Sequence, residues 1–379
     1  MTNKTNAAIT GAVAVKTTAA LIDGSCVEEK RSHQGWRNTF ARFAASLALA
    51  GLPFVAASAS VVRAEGTAVI PQAQTGWAVQ VGGDDEANLA FTQAYFPGKL
   101  TVRAGDTVNF KFASAHTVTF NGGKETPALI VPGPRLGSLM LGPGFAPIGP
   151  QGPSIVYDST QQISSGLPMG GPETGGPPSY SVTFAKPGLY GFVCTLHPGM
   201  HGEIEVLEAG APLTETPAQA TARGQQTLAA LLGRIQQNVG DTRTTHVGTV
   251  HTAIAGLGDA FGVSAIRMIP GDLSVRRGDT VVWTNADPYE VHTIAFAPDG
   301  KVPEFVEPQP QPAGPPLMVI PESVASIVGG ESFDGKSYTN SGLLQAGDTY
   351  ALRFDAAPGT YDYLCIVHPF MKGTVTVTD

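Results

Sequence analysis

The chain has 379 residues, with 23 Lys plus Arg against 31 Asp plus Glu, a formal charge of −8 and only 14% charged residues. Its 46 glycines and 30 prolines disfavour long helical bundles and coiled coils, because both residues are costly inside helices, and suit short strands joined by turns. An acidic, charge-poor chain has no electrostatic footprint for nucleic acid, and three cysteines are too few for a disulfide-stapled scaffold.

Residues 1–36 are polar with little periodicity. Arg37 and Arg42 then precede an apolar run from Phe43 to about Ala57, followed by the small-residue stretches Ala57-Ser58-Ala59 and Val62-Arg63-Ala64. This is the order of a secretory signal, with a cut expected after Ala64 or, alternatively, after Ala59. Residues 1–64 are therefore assigned to a signal segment, and the remainder to the periplasm or the exterior. The long stretch before the apolar run fits a start codon downstream of Met1. An uncleaved anchor is the alternative, disfavoured by Pro53 and the serines of the run, and only that alternative gives the protein contact with a membrane. No consecutive arginines precede the run, so a twin-arginine route has no support. Cleavage removes Cys26 and His33.

Beyond the signal, the same text occurs twice. Phe96-Pro97-Gly98 through Arg103-Ala104-Gly105-Asp106-Thr107-Val108 matches Ile269-Pro270-Gly271 through Arg276-Arg277-Gly278-Asp279-Thr280-Val281, at an offset of 173. His116-Thr117-Val118-Thr119-Phe120 matches His292-Thr293-Ile294-Ala295-Phe296. Tyr157-Asp158 through Leu167 resembles Phe333-Asp334 through Leu343. Gly188 to Met200 matches Gly359 to Met371. The order is kept and the offset stays between 171 and 176, so the chain reads as two copies of one domain.

In chain order, Leu100 and Val102, then Val108, Phe110 and Phe112, alternate with polar residues on either side of a Gly-Asp turn, the signal of strand, turn, strand. A Pro/Gly-rich stretch, Pro127–Pro178, follows without an assignable conformation; it either covers a partner surface or packs the two copies together. Tyr180, Val182 and Phe184 predict a further strand, and Ile204 and Val206 close the copy. Pro217 to about Val239 predicts one connecting helix, with Leu228, Leu231, Leu232 and Ile235 at helical spacing, Pro217 in its first turn and Gly240 just past its end. The second copy repeats the pattern with Leu273, Val275, Val281 and Trp283, a shorter rich stretch at Pro298–Pro321, then Tyr350, Leu352 and Phe354, and finally Val375 and Val377. Short alternating strands at this density predict an antiparallel sandwich in each copy. The expected domains are 75–208 and 246–379, joined by a helical linker over 209–245.

Each copy holds one cysteine, and each begins the same spacing. Cys194, His197 and Met200 fall at 0, 3 and 6, and Cys365, His368 and Met371 repeat it. One further histidine per copy, His116 or His292, stands well upstream at the start of a strand. Two imidazoles, one thiolate and one thioether form the ligand type of a trigonal copper site with a weak axial methionine. Soft sulfur suits Cu(I) and imidazole suits both oxidation states, so such a site exchanges one electron with little rearrangement. The competing reading of two cysteines in an exported chain is a disulfide. It requires equivalent positions of separate domains to meet. Met200 and Met371 could serve as core packing alone. His201 has Lys372 as its counterpart and reads as a surface or supporting residue. His246 and His251 have no partner cysteine and read as solvated.

These residues resemble the cupredoxins, the blue (type 1) copper proteins of the plastocyanin, pseudoazurin and amicyanin kind, over about residues 75–208 and 260–379. The Cys-x-x-His-Pro-x-Met form is similar to the short ligand loop of amicyanins. The resemblance implies an all-β fold, two tandem Greek-key β-sandwiches, with one copper each and outer-sphere electron transfer. Carried over by position, it implies His116, Cys194, His197 and Met200 for one copper and His292, Cys365, His368 and Met371 for the other. It also implies that the loop histidine reaches the surface in an apolar patch, so redox partner proteins are expected to dock near His197, beside Pro198 and Gly199, and near His368, beside Pro369 and Phe370. Many cupredoxins carry Asn directly after the upstream histidine, where it braces the two ligand segments; this chain has Thr117 and Thr293.

Two-domain cupredoxins include copper nitrite reductases and small laccases, whose extra coppers need further histidines, usually beside the cysteine. Here Val193 and Thr195 flank Cys194, Leu364 and Ile366 flank Cys365, and no His-x-His pair occurs. The chain is therefore read as a carrier, not an enzyme. Copper storage, delivery or resistance is the alternative; the Met- and His-rich runs suited to storage are absent from the sequence.

Overall fold

The computed structural model describes residues 76–152, 155–167, 179–314 and 316–379. The signal segment, with Cys26 and His33, lies outside the described residues.

Alternation along the chain becomes two faces of a sheet. In the strand Thr107–Phe112, Val108, Phe110 and Phe112 are buried, and the residues between them are not. The first half is a sandwich of two five-stranded sheets. One runs in the order Tyr95–Phe96, Trp77–Val81, Thr107–Phe112, Ser179–Phe184, Ile155–Tyr157. The other runs Ile163–Ser164, Thr119–Phe120, Gly188–Val193, His201–Leu207, Lys99–Arg103. Phe110, Phe120, Phe184 and Phe192 fill the space between them. The second half repeats the arrangement around Trp283, Phe296, Phe333, Phe354 and Tyr363. Each of these buried aromatics contributes on the order of 1.5–3 kcal/mol of transfer free energy.

The sandwiches are not purely antiparallel. Trp77–Val81 runs parallel to Thr107–Phe112, Ile155–Tyr157 to Ser179–Phe184, and His201–Leu207 to Lys99–Arg103, and the second half has the same parallel pairs. In a Greek key, strands that are distant in sequence become neighbours, and hairpin logic does not set their direction.

The Gly-Asp turns form as expected. Asp106 Oδ2 accepts from the Arg103 N–H at 2.9 Å and from Trp77 Nε1 at 3.0 Å. In the second half, Asp279 Oδ2 accepts from the Arg276 N–H at 2.9 Å, and His251 Nε2 lies 3.0 Å from it, where Trp77 stands in the first. His251 is thus a paired structural residue and not a solvated one; exposed His246 stacks on its ring at 4.3 Å.

The helix spans Pro217–Asp241. Thr216 caps it: its Oγ1 accepts from the Gln219 N–H while Gln219 Oε1 accepts from the Thr216 N–H. Gly240 lies in its last turn rather than past it, because the Thr242 N–H still bonds to the Asn238 carbonyl. The helix is more than a connector. A Cβ at Gly224 would stand 2.7 Å from the carbonyl carbon of Phe96, and Ile235 is buried with Ala90, Val263 and Ala265 from both halves.

The halves share strands as well. Ala90–Thr92 leaves the first half to pair with Val263–Ile269 of the second. The Pro/Gly-rich stretches supply a further sheet, in the order Glu307–Gln309, Leu317–Ile320, Leu139–Leu141, Ile130–Pro132, with two strands from each half. Of the two roles these stretches could play, they pack the halves together.

Candidate metal centres

Each centre is built where a strand gives way to a short loop. Gly188–Val193 delivers Cys194, and the loop closes on itself: the Cys194 N–H donates to the Met200 carbonyl at 3.0 Å, and the Met200 N–H to that of His197 at 3.1 Å. Cys365 and Met371 close the second loop identically, at 2.9 Å, with the Met371 N–H donating to His368 at 2.8 Å. The upstream histidine comes from the segment just before the neighbouring strand, since Thr119 pairs with Val193 and Ala295 with Leu364.

Of each predicted constellation, the cysteine and its two histidines come together. Cys194 Sγ lies 3.8 Å from His116 Nδ1 and 3.5 Å from His197 Nδ1, and the two imidazole nitrogens are 2.8 Å apart. Cys365 Sγ lies 3.9 Å from His292 Nδ1 and 3.7 Å from His368 Nδ1. The three donors of each half lie within 4.8 Å of one another. An ion bonded at roughly 2.0–2.3 Å to imidazole and thiolate spans donors about 3.5–3.8 Å apart in a trigonal plane; the sulfur–nitrogen spacings match this, the two nitrogens of the first site stand closer, and the donor chemistry fits a copper ion. Met200 and Met371 are buried at the ends of the same loops. Both cysteines are free, so the disulfide reading fails.

The electrostatics favour a ligating thiolate. Burial alone would push the Cys194 thiol up; the charge of His197 and the bonds from His116 and His197 outweigh it and hold the thiol well below its ordinary range. Burial acts the same way on Cys365, and bonds from His292 and His368 outweigh it.

The sequence marked Thr117 and Thr293 only as replacing asparagine, and it did not mark Gly82 and Gly256. The Thr117 N–H donates to Cys194 Sγ at 3.4 Å, while Thr117 Oγ1 accepts from the Thr195 N–H at 2.8 Å. Thr293 does the same for Cys365 Sγ, at 3.3 Å, and for the Ile366 N–H, at 2.7 Å. Threonine therefore ties the two ligand segments together in place of the asparagine expected from the resemblance. Gly82 and Gly256, at φ +69° and +79°, let the backbone pass against the upstream rings: a Cβ would stand 2.5 Å from His116 Nε2 and 2.0 Å from His292 Nε2. Their equivalent places in the repeat were the available signal. His201 is exposed, its Nδ1 2.8 Å from the Gly199 carbonyl oxygen, in keeping with a surface residue.

The loop histidines do not open outward to separate surfaces. They face each other across the junction of the halves, with side chains 12% and 11% exposed. Glu290 stands between them, Oε1 at 3.0 Å from His197 Nε2 and Oε2 at 3.4 Å from His368 Nε2. The flanking patches are covered too: Gly199 meets the Tyr289 ring, and Phe370 meets Phe91 at 5.5 Å. One mostly apolar cleft of about 1410 Å³ between the halves is lined by Pro198 and Pro369 together with both loop histidines.

Comparison with known proteins points to a family. The family model for copper binding proteins of the plastocyanin/azurin family matches residues 77–207 and 262–378. Amicyanin-alpha of Methylorubrum extorquens is 57% identical over 35 residues, 9% of this chain and 29% of that protein. Amicyanin of Paracoccus versutus is 27% identical over 116 residues, 31% of this chain and 61% of that protein. The chain thus spans less than two thirds of either relative's length. Among solved structures, a purple cupredoxin from Nitrosopumilus maritimus matches at 28% identity, covering 34% of this chain and 98% of that one, with a TM-score of 0.21. An oxidised amicyanin variant matches at 20% identity, covering 37% and 89%, with a TM-score of 0.21.

Proposed function

The chain belongs to the plastocyanin/azurin family of copper-binding proteins and has two copper sites, one in each half; from that premise we propose that it is an exported electron carrier with two type 1 coppers. The observation that carries this reading is a buried cysteine, held as thiolate between two imidazole Nδ1 atoms at ligand spacing, built twice from the same loop. His116, Cys194, His197 and Met200 would hold one copper, and His292, Cys365, His368 and Met371 the other. Bound copper supplies a one-electron couple.

The chain supplies a fixed and dry donor set. The thiolates receive backbone N–H bonds from Thr117 and Thr293, which stabilise the charged form without a proton transfer. The loop closure between cysteine and methionine fixes the spacing of the donors, so reorganisation on electron transfer is small. The amicyanin relatives support a carrier over an enzyme. A redox partner protein docks at the mouth of the cleft that leads to His197 and His368. Export rests on the signal-like residues 37–64; no helix among the described residues is long and apolar enough to cross a membrane.

Each of Cys194→Ala and Cys365→Ala is expected to remove about half of the thiolate-to-copper visible absorption and one copper per chain, because each thiolate serves one site. A variant that keeps the full absorption contradicts the assignment of that site.

A further inference from the structure

Glu290 is two residues upstream of His292 and belongs to neither ligand set. Its backbone and its carboxylate are each held by neighbours. The Asn285 Nδ2 donates to the Glu290 carbonyl at 2.8 Å, and the Tyr289 N–H donates to Asp287 Oδ1 at 2.9 Å, which shapes the backbone there. Gln93, carried in from the first half, donates from Nε2 to Glu290 Oε1 at 3.1 Å, and its own Oε1 accepts from Ser264 Oγ. So held, the carboxylate offers one oxygen to the remote nitrogen of each loop histidine. The near nitrogens of the same rings face Cys194 and Cys365. One carboxylate and two imidazole–carboxylate contacts, at 3.0 and 3.4 Å, therefore separate the two donor sets.

Resting on the electron-carrier reading, we propose that Glu290 is a positioning residue that couples the two coppers, so that they exchange an electron inside one chain through His197, its carboxylate and His368. With copper bound in both halves, His197, Glu290 and His368 would carry one electron from the reduced site to the oxidised one, with no bond made or broken and no net proton moved. Tunnelling decays less steeply through covalent and close polar contacts than across a wide gap, and the longest step of this bridge is the 3.4 Å contact between Glu290 and His368. The shared anion also links the sites energetically. Each ring that donates its Nε2 proton to a carboxylate becomes a more basic ligand, which favours the oxidised ion. Because one carboxylate serves both rings, a stronger pull from one oxidised site weakens its bond to the other. The protein then works as a two-site relay with coupled potentials rather than as two independent carriers.

The test uses full-length, copper-loaded protein carrying Met371→Gln as a spectral label on the second site. A flash of reductant delivers less than one electron per chain, and absorbance follows the redistribution between sites. A rate independent of protein concentration is expected. Glu290→Ala should slow it at least tenfold, and the isosteric Glu290→Gln, which cannot accept from both rings, should slow it severalfold. Both variants should raise the midpoint potentials of both sites, a shift that a merely structural role would not produce. If Glu290→Ala does not fold, Glu290→Gln decides. Two bound coppers with the rate and potentials unchanged in Glu290→Gln overturn the relay alone. A parent chain that binds no copper or shows no blue band contradicts the carrier reading itself.

Discussion

Thr293 uses both of its polar groups at once, its N–H on Cys365 Sγ and its hydroxyl on the Ile366 N–H. Replacing it by valine keeps the shape and strands a buried N–H donor. Thr293→Val is expected to cost about 1–3 kcal/mol in equilibrium unfolding and to loosen copper at the second site, while Thr293→Ser retains most of the stability. An unchanged unfolding midpoint in Thr293→Val contradicts the bracing role. At this scale much was legible. Cysteine, histidine and methionine at intervals of three lie on one loop, so local spacing alone announces them. The upstream histidines were legible only because the repeat aligned them. Glu290 was not legible, since it stands 93 residues from His197 and 78 from His368 and repeats nothing in the first half that marks it.

The strands followed from alternation wherever their partners were close in sequence, as around the Gly-Asp turns of Asp106 and Asp279. They were illegible in the Pro/Gly-rich stretches. Leu139–Leu141 pairs with Leu317–Ile320, and nothing local in either segment declares a partner in the other half. The helix was legible from its capping residues and periodic leucines, but its packing was not. Ile235 is fully buried against Ala90 from the first half and Val263 and Ala265 from the second. Ile235→Ala leaves a cavity there and is expected to destabilise the protein by about 2–5 kcal/mol in denaturant unfolding. A loss below 1 kcal/mol would show that the helix is only a tether.

At the scale of the molecule, two copies read separately give two carriers, each with its own face toward a partner. The assembled chain does something different with the same parts. A strand carried across the junction, a sheet made from both rich stretches and a helix packed on both halves fix the copies with their loop histidines toward each other. The surfaces expected near Phe370 and Gly199 become the lining of the junction, and Phe91 and Tyr289 cover them. A sequence repeat predicts that two sites exist; their mutual orientation depends on contacts between the copies, which no single copy encodes.

The measurement that bears most directly on the two-copper account is titration of the metal-free chain with cupric ion, with metal counted per chain and absorption and spin-resonance spectra recorded together. The account predicts saturation at two coppers per chain, with an intense blue or violet thiolate band and the type 1 signal growing to the second equivalent. A colourless product holding less than one copper would contradict it.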